Sequence, residues 1–119
     1  MQTTPLIALT LAALLAGPVA AEPFDGLYRP ASPFGKNWDC QSIGQEGGAM
    51  SVQGDTFTSV ENQCRLTNPV PVTGMDAILY DAECMGEGEF YAYRMMLMRL
   101  PDGIAVIQDG WVMELLACR

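Results

Sequence analysis

The sequence contains no histidine. The side chain that most often serves as a general base near neutral pH, and that most often ligates metals such as zinc, is therefore missing. No Cys-x-x-Cys pair occurs among Cys40, Cys64, Cys84 and Cys118, so the sulfurs also lack the spacing of a zinc site. Long apolar runs are absent too: the longest, from Leu6 to Ala16, is about 11 residues, against the roughly 20 needed to cross a bilayer. Ser42, Ser51 and Ser59 sit in no nucleophile elbow. With the cysteines oxidised, the usual bases and nucleophiles are mostly gone, and catalysis is not expected.

The apolar run is followed by Gly17, Pro18 and the small residues Val19, Ala20 and Ala21, the pattern of a secretory signal cleaved after Ala21. One departure is that Met1 to Pro5 contains no Lys or Arg. Leu15-Ala16-Gly17 begins like a lipoprotein box, but Pro18 stands where the lipidated cysteine would be. The expectation is a signal peptide at 1–21, one domain at 22–119, a periplasmic or secreted location, and no membrane insertion after cleavage.

A domain of this size buries only about 60 to 68% of the surface its unfolded chain exposes, so cross-links add a useful margin. Four cysteines in a short exported chain imply two disulfides, with three pairings open. The net charge is −8, and all of the charged residues lie beyond Ala21. Such a domain repels nucleic acid and anionic lipid and attracts a basic partner, although solubility alone is a sufficient reason for the charge.

Turn signals recur along 22–119: Gly54-Asp55, Gly74-Met75, Gly86-Glu87-Gly88, Pro101-Asp102-Gly103 and Asp109-Gly110. The segments between them are short and rich in β-branched, aromatic and long apolar residues, which indicates an antiparallel meander. Strands are expected near 24–29, 49–53, 56–66, 76–85, 89–100, 104–108 and 111–118, with an irregular loop through Trp38. In 89–100 both alternating sets are largely apolar: Phe90, Ala92, Arg94, Met96, Met98 and Leu100 on one side, Tyr91, Tyr93, Met95, Leu97 and Arg99 on the other. A helix over 91–100 is the competing reading, since Met and Leu favour helices. A strand with two apolar faces belongs to a barrel or to a sheet that meets a partner. The fold expected is all-β, a small meander barrel or curled sheet.

Cys64 and Cys84 lie equally far from Gly74, so a hairpin turning there sets them opposite each other, within disulfide reach. Pro69 and Pro71 cannot donate to that ladder, so a bulge or an edge is expected. The remaining pair, Cys40 with Cys118, joins the start of the domain to its last strand. In the chain-entropy model the two loops stabilise by about 3 and 4.5 kcal/mol respectively.

The order Gly26-Leu27-Tyr28, Trp38-Asp39-Cys40, Glu61 with Cys64, Cys84-Met85-Gly86-Glu87-Gly88-Glu89 and Cys118-Arg119 resembles a group of uncharacterised small exported four-cysteine bacterial proteins. A more distant, architectural likeness is to periplasmic lysozyme inhibitors. Their inhibitory loop motif is missing here, so the likeness implies no inhibitory residue.

Two features could bind. The acidic stretch Asp81, Glu83, Glu87 and Glu89, with Gly86 and Gly88, has the oxygen-rich composition that could hold Ca²⁺, but it matches no EF-hand loop; a solvated turn is the simpler reading, and no metal or cofactor is expected. The second is an apolar surplus: Met85, Met95, Met96, Met98 and Met113 with Trp38, Tyr91, Tyr93 and Trp111. Most of it suits a core, and an exposed part would suit protein recognition; a Met-rich Cu(I) site is a weaker alternative. The binding residues expected are Glu83, Glu87, Glu89, Tyr91, Tyr93 and Trp111. The function expected is a non-catalytic acidic binding or inhibitor module for a basic envelope or extracellular protein. A small-ligand carrier using a barrel interior, or a structural envelope protein, are the alternatives.

Overall fold

Alternation dominates the described residues, 23–119 of the computed structural model, and the segment 1–21 expected to be a signal peptide lies outside them. Eight antiparallel strands follow one another: β1 Gly26–Pro30, β2 Met50–Gln53, β3 Thr56–Ser59, β4 Asn62–Pro71, β5 Ala77–Gly86, β6 Glu89–Leu100, β7 Gly103–Gln108 and β8 Trp111–Ala117. Each pairs with the next, and β1 pairs with β8, so the meander closes into a barrel with no free edge. The only helical element among the described residues is a 3-10 turn, Pro33–Gly35.

Closure explains the two apolar faces of β6. Met95 and Leu97 point inward and are fully buried, with Tyr93 on the same face, while Phe90, Ala92, Met96 and Met98 lie on the outer wall. The lower interior is filled by Met95, Leu97, Ile104, Val106 and Leu115. As expected of a barrel this small, side chains rather than solvent occupy its axis.

Both expected disulfides form, Cys64 with Cys84 across the hairpin and the remaining pair, Cys40 with Cys118. Cys64 and Cys84 are register partners, their Cα atoms 4.0 Å apart. Beyond them the ladder shifts between Thr67 and Val70, where Pro69 drops out and Asn68 takes a left-handed φ of 51°. This is the bulge that proline imposes. Two disulfides point to an oxidising, non-cytoplasmic compartment.

Several strand boundaries differ from expectation: β1 starts at Gly26 rather than 24, and β4 runs on to Pro71 rather than ending at 66. The segment 56–66 is two strands, β3 and β4, separated by a tight turn at Val60 and Glu61. Glu61 adopts φ 53° and donates its backbone N–H to the Gly44 carbonyl, so the 31–49 loop holds the turn in place. Neither Val nor Glu is a turn former, which is why local propensity hides it.

Barrel closure gives the molecule two unlike ends. At one end are the turns Gly54-Asp55, 72–76 and Pro101-Asp102, and this end is plugged by Phe24, 2% exposed. Tyr28 Oη donates to the Phe24 carbonyl (2.6 Å), the Arg99 guanidinium lies 5.5 Å over the Phe24 ring, and Asp25 accepts from the Gly54 N–H (2.8 Å). Residue 24, expected in a strand, is instead a stopper just before β1. The other end carries the turns Val60-Glu61, Glu87-Gly88 and Asp109-Gly110 and the start of the 31–49 loop.

That loop is ordered by Asp39. Its carboxylate accepts from the backbone N–H groups of Gln41 (2.8 Å) and Ser42 (2.9 Å) and from the Ser42 hydroxyl (2.7 Å). These bonds, from Ser42 first and then Gln41, hold the Asp39 carboxyl below the usual carboxylate range. A carboxyl with a depressed folded-state pKa contributes stability that is present above its unfolded pKa and lost as pH falls through the folded one. Asp39→Ala is therefore expected to destabilise the domain at neutral pH and to make a smaller difference in acid. Parallel denaturant titrations of the two proteins at both pH values check this, and a gap that stays constant contradicts it.

Candidate binding site at the open end of the barrel

Six strands contribute inward or rim side chains to a recess of about 430 Å³ at the open end. Its walls are aromatic: Tyr91, Tyr93, Trp111 and Phe57, with Met50, Val60 and Met113 between them. Tyr91 and Tyr93 lie nearly parallel, 11° apart with centroids 5.8 Å apart, because residues i and i+2 share a strand face. Tyr91 and Trp111 are 43% and 47% exposed, so their rings are open to an incoming group.

The floor is polar and sparse. Gln108 Nε2 donates to Tyr93 Oη (3.1 Å), and the same hydroxyl lies 3.6 Å from Cys64 Sγ in the cross-strand disulfide. Asn62 Nδ2 points to that sulfur at 3.9 Å, while Asn62 Oδ1 is buried with no donor among the described residues. Burial, with a smaller push from Tyr91, raises the Tyr93 pKa against the opposing Gln108 bond, so the phenol stays neutral well into alkaline pH. The charge of the mouth comes from its rim.

That rim is acidic. Glu61, Glu87 and Asp109 sit in the three tight turns, none of which contains a base, and Glu89 follows on the β6 face shared with Tyr91. Elsewhere on the barrel three acids are offset, Asp55 by Arg65, Asp76 by Arg99 and Asp81 by Arg94, while Asp25, Glu83, Asp102 and Glu114 stand singly without an ion pair among the described residues. None of the four rim carboxylates has an ion pair among the described residues, and neither the recess nor the cleft beside it is lined by Lys or Arg. Glu61 and Glu87 both hold left-handed backbone, with φ 53° and 51°, where Gly or Asn would be easier. At Glu87-Gly88 both residues have positive φ, a turn whose first position ordinarily favours Asn or Gly. Each glutamate carries a cost on the order of 1 kcal/mol.

The structure brings together Tyr91, Tyr93 and Trp111 and places Glu87 and Glu89 at their rim. It sets Glu83 apart. That side chain is on the outer wall, across from Arg65, in a larger groove of about 670 Å³ with Met85 and Phe90. With both a guanidinium and a carboxylate on its surface, the groove has no dominant charge. Asp81 is likewise on the wall, bonded to Arg94 and Asn68. Among the described residues no three acidic or cysteine side chains converge as metal ligands.

The methionines divide: Met50 and Met95 are buried, Met113 lines the recess, and Met85 is half exposed in the outer groove. Gln108, Asn62 and Glu61 were not legible from sequence as site residues. The only local signal was the Gln108-Asp109-Gly110-Trp111 turn, which sets an aromatic beside an acid. A second cleft, lined by Phe34, Trp38 and Glu114, adjoins the recess, and Trp111 forms the wall between them. No family model, curated protein or solved structure matches the chain.

Proposed function

We propose that this protein is a non-catalytic acidic binding module, exported to the periplasm or beyond the cell, that engages a basic protein with the open end of its barrel. The observation that carries this reading is the uncompensated acidity of an aromatic-lined mouth. Aromatic side chains supply large rigid contact area, and like-signed carboxylates around them steer and orient a cationic partner. The net charge of −8 acts at longer range in the same direction. The filled lower interior favours surface recognition over enclosure of a ligand. Two disulfides and an edgeless sheet suit a module that meets partners outside the cytosol, where chaperones and reductants are scarce.

The test is surface binding to a panel of basic proteins that includes a c-type lysozyme, with acidic proteins as controls. The association rate is expected to fall by about 10- to 100-fold between low and physiological salt, as the screening length drops from about 30 to 8 Å. The combined variant Glu61→Gln, Glu87→Gln and Asp109→Asn is expected to associate more slowly at low salt and to show a shallower salt dependence, while its dissociation rate changes little. Binding that ignores salt, or the absence of binding to every basic protein, contradicts the proposal.

A further inference from the structure

The recess at the barrel mouth is small for a protein surface but large enough for one long side chain. We propose that it is a pocket for a single cationic side chain, the ammonium of a lysine or the guanidinium of an arginine projecting from the basic partner. The inference rests on the binding reading above and specifies its chemistry.

Three features of the pocket agree on this occupant. Trp111 and the Tyr91–Tyr93 pair offer open π faces, and a cation within about 6 Å of such a face is attracted by its quadrupole. The methylene stem of a Lys or Arg fits the apolar wall of Val60, Met113 and Phe57 below the rim, as such stems do when their charged heads find a partner. The floor holds one unsatisfied acceptor: Asn62 Oδ1 is buried with no donor among the described residues, and ammonium and guanidinium groups carry only donors. Binding in this way requires the Asn62 amide to turn about its soft terminal torsion so that this oxygen faces the recess. An anionic or purely apolar occupant satisfies at most one of these conditions. The outer-wall groove also offers aromatic and apolar surface at Phe90, Tyr91 and Met85, but Arg65 stands in it and repels a second cation.

The test uses the oxidised protein and three small probes, N-acetyl-lysine amide, N-acetyl-arginine amide and the uncharged N-acetyl-norleucine amide, titrated while the tryptophan indole N–H resonances are followed. The lysine or arginine amide is expected to shift the Trp111 signal saturably, and norleucine amide about tenfold more weakly. Trp111→Ala, at a half-exposed rim position that does not support the core, is expected to weaken the cationic probe by about tenfold with unfolding unchanged. Asn62→Leu is expected to reduce the response further without altering the rim charge. Equal binding of norleucine amide overturns the proposal, as does a response confined to the Trp38 indole, or no response to any probe. If basic proteins still bind with full salt dependence while the lysine and arginine amides do nothing, the acidic module stands and the side-chain pocket falls. If the amides bind and no basic protein does, the pocket stands and the protein partner falls.

Discussion

Replacing Cys40 and Cys118 together by alanine is expected to lower the unfolding free energy by about 4 kcal/mol, from the 78-residue separation that their disulfide closes. That is a large part of the roughly 5 to 15 kcal/mol that a small domain has in total. At this chain length it corresponds to a fall in Tm of about 15 to 30 °C. The cross-link does more in the unfolded chain than in the folded one: without it, the denatured ensemble regains the freedom of nearly the whole domain. The denaturant slope is therefore expected to rise in the variant, since a less constrained unfolded chain exposes more surface. The Cys64–Cys84 bridge closes a span of only 20 residues between strands that are already hydrogen-bonded, and its entropic share is about 3 kcal/mol. Paired urea titrations of the wild type and the Cys40→Ala/Cys118→Ala protein measure the effect. A loss under about 1 kcal/mol would mean that the β1–β8 seam already supplies the restraint assigned here to the sulfurs.

The second large effect is expected at the opposite end of the barrel from the binding recess. Phe24→Ala should lower stability by about 3 to 5 kcal/mol, the range for a buried Phe whose removal leaves a void. Phe24 is 2% exposed and stops the barrel axis beneath Arg99. Without the ring, the guanidinium loses its π face and water reaches the lower core. Phe90→Ala is the control, because that ring is 81% exposed on the outer wall and its loss should stay within about 0.5 kcal/mol. The two substitutions delete the same side chain, so the difference between them reports burial alone. Comparable losses at the two sites would refute the stopper. Binding at the mouth should persist in Phe24→Ala wherever the protein remains folded.

Much of the fold was written in local chemistry. Gly54, Gly74, Gly88 and Gly110 all take the left-handed backbone that the turn signals implied, and the strands between them follow the alternation of apolar residues. The Cys64–Cys84 pairing followed from symmetry about Gly74. The Val60-Glu61 turn escaped because its conformation is held by a bond from Glu61 N–H to Gly44, a residue 17 positions earlier. Phe24 escaped for a related reason: alternation assigns a residue to a strand, and a plug is defined by what it covers.

The binding residues were legible in kind more than in place. Tyr91 and Tyr93 share a face in any strand, so their stacking was implicit in their spacing. Trp111 lies a hairpin away, and only closure of β8 onto β1 curls the sheet so that it faces them across the mouth. Glu83 and Glu87 look like neighbours along the chain, yet one lies on the outer wall and the other on the rim, because a strand alternates faces and a turn reverses direction. Composition set the sign of the charge; the three turns that closure brings to one end decided where Glu61, Glu87 and Asp109 gather with no base among them.

The sequence by itself determined the strand-and-turn rhythm, the two cross-links, the acidic balance and the lack of histidine, since each depends on residue identity or on spacing within a hairpin. The tertiary structure alone decided which end of the barrel is stoppered and which is open, and which aromatics meet there. Those outcomes depend on pairing the first strand with the last, a contact between residues nearly ninety positions apart that no local pattern encodes.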